Sequence, residues 1–367
     1  MKRIVLAGST LVALAGCATG QPYAGVQGEP MTMAPDSAAE PVPATLPVPN
    51  NILLADWSGP YDGVPPWDKV RADLFPQAFQ FGIDEQRREF EVIANSSSAP
   101  TFGNTIEAME KAGQRLGRVL AVFGVMSDNL STPEIQALDK EWQPKLSAAF
   151  DEITLNPTLF DRVATLYAAR DSLGLDAKQN RLLVRTYEAF VRNGAKLDKQ
   201  QKTQLSQINQ DLASAFSDFN TRLLNDEKTH TAANAAEMKG VPQDVKDAAL
   251  AAGKEKGLPP GVYAIRNTRS AVEPVLTFAD NRDLRRRVFQ AFVNRGDNGN
   301  ANDTNAIIAT IVKLRADRAK LLGYPSHAHW RMQDTMAKTP ERAMGLMTRV
   351  WPAAVARVNE EVADMTA

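Results

Sequence analysis

Three histidines (His230, His327, His329), one cysteine (Cys17) and a run of three arginines (Arg285, Arg286, Arg287) are the side chains here best suited to metal, nucleophilic or anion chemistry. None stands in a spacing that performs it. No H-E-x-x-H and no histidine pair at i, i+4 occurs, so the usual helical zinc-peptidase arrangement is absent. His327 and His329 are two apart, and residues at i and i+2 do not share a helix face. A packing or surface role is therefore expected for them. His230 is expected at a helix end, against the C-terminal dipole. The arginine run points three ways on a helix and reads as a solvated face with ion pairs. No G-x-S-x-G elbow, Walker loop or dinucleotide fingerprint is present.

Cys17 has a different explanation. Met1-Lys2-Arg3 is a short basic start, Ile4 to Ala13 is largely apolar, and Leu14-Ala15-Gly16 places small residues directly before the cysteine. The stretch is too short to span a bilayer as a mature helix and reads as a cleaved lipoprotein signal, residues 1–17, with Cys17 as the lipidation site. Acyl chains on Cys17 would bury methylenes at about 0.8 kcal/mol each, enough for stable anchoring. Ala18 rather than aspartate follows, so outer-membrane attachment facing the periplasm is expected. With its sole cysteine lipidated, the chain forms no internal disulfide, and packing alone must hold the fold.

The elements around these residues are overwhelmingly helical. Residues 18–49 are rich in Pro, Ala and Gly and read as a disordered tether. Residues 50–76 carry Trp57, Tyr61 and Trp67 among prolines and glycines, as expected of an extended segment burying aromatics on a domain surface. Helices are predicted over 84–95, 104–128, 133–153, 157–173, 177–194, 199–227, 242–256, 280–294, 302–322 and 340–365. Leu205, Ile208, Leu212, Phe216, Phe219 and Leu223 form one apolar stripe at helical spacing. Asn104 with Glu107, and Asp176 with Gln179, resemble capping boxes. Thr132-Pro133, Asn156-Pro157 and Thr339-Pro340 each set a cap before a proline. Gly261–Ile265 and Pro274–Phe278 read as two strands of a small hairpin inserted in the helices. The fold class expected is mainly α. Basic and acidic residues nearly balance, at 42 and 43, so a nucleic-acid partner has no electrostatic support.

Several segments, in order, resemble the N-terminal half of the M3 (thimet oligopeptidase-like) zinc metallopeptidases, on the bacterial peptidyl-dipeptidase or dipeptidyl carboxypeptidase branch. They are Phe75-Pro76-Gln77-Ala78-Phe79, Pro100 to Glu107, Arg295-Gly296, Asn302-Asp303-Thr304-Asn305, Leu314-Arg315, Leu321-Leu322-Gly323-Tyr324, His327-Ala328 and Met336 to Pro340. The resemblance implies that residues 50–367 are the N-terminal lobe of a two-lobed, channelled, monomeric enzyme acting on oligopeptides. Zinc is expected for the full-length enzyme, held by an H-E-x-x-H motif and a later glutamate. No catalytic residue and no metal ligand of that set maps onto this chain. The amphipathic stretch Arg349–Met365, with Val350, Val355, Val358 and Val362, has no turn or cap after it, so truncation before the zinc segment is expected. Such a chain should be inactive alone and prone to aggregation. The alternative is a non-catalytic helical lipoprotein acting as a binding module.

Overall fold

The computed structural model describes residues 46–58 and 63–367. Cys17, the signal, Tyr61 and nearly all of the tether lie outside the described residues. The chain is mainly α and divides into two compact units. One comprises the described residues up to Asp211 together with Leu314–Ala367, and the other is Leu212–Lys313.

The first unit begins with α1 (Phe75–Ala94), nine residues ahead of its expected start, because Phe75, Ala78 and Phe79 lie fully buried on its first turns. The expected single helix over 104–128 is broken. A π turn (Phe102–Glu107) runs into α2 (Ala108–Lys111), and α3 (Gln114–Asn129) follows. Gly113 between them has φ of 73°, which a continuing helix forbids, and its N–H donates to Glu89 Oε2 at 2.6 Å. The capping box also starts earlier than expected: Thr101 Oγ1 accepts from the Asn104 N–H, and Asn104 Oδ1 accepts from the Thr101 N–H. The cap is thus Thr101, with Asn104 rather than Glu107 in the third helical position.

The remaining caps of this unit fall where the sequence places them. Thr132 caps α4 (Pro133–Thr154), Asn156 caps α5 (Pro157–Ala169), and Asp176 with Gln179 closes a full capping box on α6 (Ala177–Arg192). Each side-chain oxygen satisfies an N–H that the first turn would leave unpaired. The helix α7 (Lys199–Glu227) matches its expected bounds, with Leu205, Ile208 and Leu212 buried.

Two apolar cores result. One gathers Phe75, Phe79, Phe123 and Trp142 with Leu53 and Leu54; the other gathers Phe90, Ile106, Leu159, Val163, Leu183 and Phe190. Leu53 and Leu54 are the most deeply buried anchors of the segment ahead of α1, and Trp57 packs against the same core. Trp57 is half-buried with its indole N–H on the Ile52 carbonyl, while Trp67 is 42% exposed.

The second unit holds a two-stranded antiparallel sheet. β1 (His230–Ala233) pairs with β2 (Tyr263–Arg266), His230 opposite Arg266 and Ala233 opposite Tyr263. Between them runs α8 (Gln243–Glu255), so the pair is not a tight hairpin. The second expected strand, Pro274–Phe278, is instead the end of a helix, α9 (Arg269–Phe278). Val272 and Val275, three apart, put one helical face into the core with Leu284 and Val288 of α10 (Arg282–Val293). His230 is therefore a strand residue, not a helix terminus. The arginine run does form a ion-paired surface: Arg286 meets Asp283, Arg287 meets Glu237, and Arg285 donates to the carbonyls of Ala279 and Asp280.

α11 (Asn305–Leu321) carries the chain back to the first unit, followed by α12 (His327–Met332) and α13 (Pro340–Thr366), capped by Thr339. Val350, Val355, Val358 and Val362 of α13 are exposed, as are Leu346 and Trp351. Among the described residues no helix is long and apolar enough to cross a membrane.

Candidate functional site

Among the described residues of the first unit two arginines are buried: Arg162 is satisfied by Ser96, Ser98, Asn104 and Thr105, and Arg318 belongs to a line of contacts reaching a carboxylate. Trp330 of α12 is buried, and its indole N–H donates to the Arg192 carbonyl at 3.0 Å. The Arg318 guanidinium lies over its ring, 4.4 Å from the centroid, and the His327 ring sits beside it at 5.4 Å. Arg318 is only 8% exposed. Its Nη1 donates to Asn209 Oδ1 at 3.2 Å, and Asn209 Nδ2 donates in turn to Asp151 Oδ1 at 2.9 Å and Oδ2 at 3.2 Å. One asparagine of α7 thus separates a buried guanidinium on α11 from a half-buried carboxylate on α4.

The protonation equilibria follow from that burial. Desolvation raises Asp151 to about 6, against the opposing hydrogen bonds of Asn209 and Ser206 and the positive charge of Arg318. Arg318 falls to about 10, through burial and then the neighbouring Arg315, and stays charged. His327 falls to about 4, through burial and then the charges of Arg315, Arg318 and Arg331, so it is neutral at pH 7. Its Nδ1 has no hydrogen-bond partner among the described residues.

Asp151 also lines a cavity of about 710 Å³. The cavity lies where α4 ends, α5 begins and α7 takes its first turns; Leu155, Pro157, Leu197, Lys202 and Ser206 contribute to its walls. Lys202 Nζ donates to the Leu155 carbonyl at 3.0 Å. Apolar surface from Ala148, Leu155, Pro157 and Leu197 stands beside charged and polar groups, among them Glu152, Lys199 and Lys202 and a carboxylate with a displaced pKa, a mixture suited to a small amphipathic ligand.

The histidines have separate surroundings. His230 is in the second unit, where burial and then Lys256 lower its pKa. His327 packs on Trp330, whereas His329 Nδ1 meets Ser326 Oγ at 2.8 Å and its Nε2 meets Glu341 Oε1 at 3.2 Å. Among the described residues no group of three His, Cys, Asp or Glu could hold a metal ion. The described side chains do not fit a zinc site. The residues that sequence inspection missed are Asp151, Asn209 and Arg318. Nothing in the local sequence distinguishes them from solvated helix positions.

Comparison with known proteins places the chain. A profile described as "Peptidase family M3" matches residues 275–367. Dipeptidyl carboxypeptidase of Escherichia coli is 36% identical over 305 residues, 83% of this chain and 45% of that protein. Its counterpart in Salmonella typhimurium is 36% identical over 86% of this chain and 46% of that protein. Oligopeptidase A of Escherichia coli is 21% identical over 83% of this chain and 45% of that protein. The chain spans about half the length of these relatives. Its sequence sides with the dipeptidyl carboxypeptidases over oligopeptidase A, and the chain belongs to peptidase family M3.

Proposed function

We propose that residues 50–367 are the N-terminal helical part of a zinc metallopeptidase that hydrolyses oligopeptides, releasing dipeptides from their C-termini. The observation that carries this is the 36% identity to dipeptidyl carboxypeptidase, sustained across 83% of the chain. In this reading the zinc ligands belong to the portion of the relatives' length that this chain does not cover. The 367 residues by themselves are inactive, act as a monomer and contribute walls rather than reacting groups. The lipobox-like run ending at Cys17 supports a lipid anchor in the bacterial outer membrane, with the enzyme facing the periplasm.

The test compares this chain with the same chain continued through its genomic reading frame, using an oligopeptide whose C-terminal dipeptide is released as a reporter. Hydrolysis together with one zinc per chain is expected only in the longer protein. Chelator-sensitive hydrolysis with stoichiometric zinc in the 367-residue chain would sink the proposal. Cys17→Ala is expected to move the protein from the membrane to the soluble fraction; retention on the membrane would rule out the anchor.

A further inference from the structure

Asp151 is poorly served as a purely structural group. It stands in the last turn of α4, where the helix dipole already presents negative charge. Among the described residues no cation lies within ion-pair distance of its carboxylate, and its hydrogen bonds come from neutral donors, Asn209 and Ser206. Arg318 reaches it only through Asn209. A carboxylate has about four acceptor positions, so capacity remains for a further donor. The other charged groups around it are committed elsewhere or sit at the rim. Glu152 on α4 is bonded to Arg87 at 2.8 Å, Lys202 on α7 is turned to the Leu155 carbonyl, and Lys199 is exposed.

A half-buried, desolvated carboxylate at a helix C-terminus favours a cation on the cavity side, since a charge taken from water without a partner is costly. The walls specify the rest of the ligand: Ala148, Leu155, Pro157 and Leu197 present mainly apolar surface. We propose that this cavity binds an aliphatic primary ammonium, seated on the Asp151 carboxylate with its hydrocarbon body against Leu155, Pro157 and Leu197. The free N-terminus of a short peptide and a simple alkylamine share that chemistry. The site is independent of the peptidase reading, because it involves no metal and no hydrolysis.

Calorimetric titration of the unaltered 367-residue chain at pH 7.5 tests it with three probes: isopentylamine, leucyl-leucine and N-acetyl-leucyl-leucine. The two ammonium probes should bind and the acetylated peptide should not. Equal affinity for the first two identifies the amine alone as sufficient, whereas tighter leucyl-leucine identifies a peptide N-terminus. Both amines remain protonated at pH 5, while Asp151 is then mostly neutral, so affinity should fall about tenfold. Asp151→Asn should weaken binding at least as much at pH 7.5 and remove the pH dependence. Binding of the acetylated peptide as tight as that of the free one, or no heat with either ammonium probe at millimolar concentration, overturns the proposal. So does an Asp151→Asn chain that is folded and binds undiminished. Should that variant fail to fold, the acetylated and free peptides still decide the matter on the unaltered chain.

Discussion

Asp151 and Asp226 are the same residue in the same local setting, each in the last turn of a long helix, yet their surroundings differ. Asp226, at the end of α7, is 2% exposed. Its Oδ2 accepts from the Gly296 N–H at 2.7 Å and from Asn298 Nδ2 at 2.8 Å, and its Oδ1 accepts from Asn302 Nδ2 at 3.2 Å. The Gly/Asn-rich loop after α10 wraps this carboxylate with three donors. Asp151 has an amide, a hydroxyl and an opening of about 710 Å³. Burial of a charge therefore does not by itself mark a site. The number and origin of the donors separate a carboxylate that fastens a loop from one that awaits a ligand.

The comparison breaks most sharply by deleting the fastening carboxylate. Asp226→Ala leaves the buried Gly296 N–H without its acceptor and returns the side-chain amides of Asn298 and Asn302 to solvent, which should destabilise the second unit by about 2–4 kcal/mol, read by urea unfolding. Hydrogen exchange at the Gly296 amide should accelerate with it. A loss below about 1 kcal/mol would mean that the loop does not depend on Asp226.

Asp151→Asn should behave oppositely. The folded-state pKa is raised to about 6 from an ordinary value near 3.8, so ionisation opposes folding. That penalty is absent below the unfolded-state pKa, grows as pH rises between the two values and levels off above the folded one, at about 3 kcal/mol at most. The variant should thus be more stable than the parent at pH 7.5 by about 1–3 kcal/mol, after allowance for a rearranged bond to Asn209, with the gap closing near pH 4. A difference that does not change between pH 4 and 7.5 would show that Asp151 is not desolvated. His327 acts with the reverse sign: its pKa, depressed to about 4, makes stability fall as pH drops from about 6.5. Asp151→Asn should unmask that slope.

Much of the helical frame could be read from residues that act locally. Thr132, Asn156, Asp176 and Thr339 cap where they were expected to, because a cap needs only its own helix's first turn. Pro274–Phe278 misled because a five-residue apolar run with β-branched members suits either a strand or a buried helix end. What decided it was Val272 and Val275 meeting Leu284, a tertiary contact. The true partner of β2, His230-Thr231-Ala232-Ala233, carries little strand propensity and is paired from a distance. The Asp151 site was illegible for the same reason. Asn209 is 58 positions from Asp151 and Arg318 a further 109 from Asn209, so each alone resembles an ordinary polar helix residue. Family resemblance, resting on ordered short segments, was readable without any of these contacts.

The smallest predicted effect concerns how the Asp226 loop presents its donors. Gly296 has φ of 77°, and a Cβ there would stand 2.8 Å from Thr304 Oγ1. Its carbonyl accepts from both the N–H and the hydroxyl of Thr304, at 2.8 and 2.9 Å, so the residue is held on both sides while its own N–H meets Asp226. Gly296→Ala should therefore cost about 1–2 kcal/mol, chiefly from the left-handed backbone. If the glycine serves to aim its N–H at the carboxylate, that cost should shrink in an Asp226→Asn background, since the contact it protects is already impaired. Strict additivity in the double variant would separate the two, leaving Gly296 as a turn residue and Asp226 fastened by its asparagines alone.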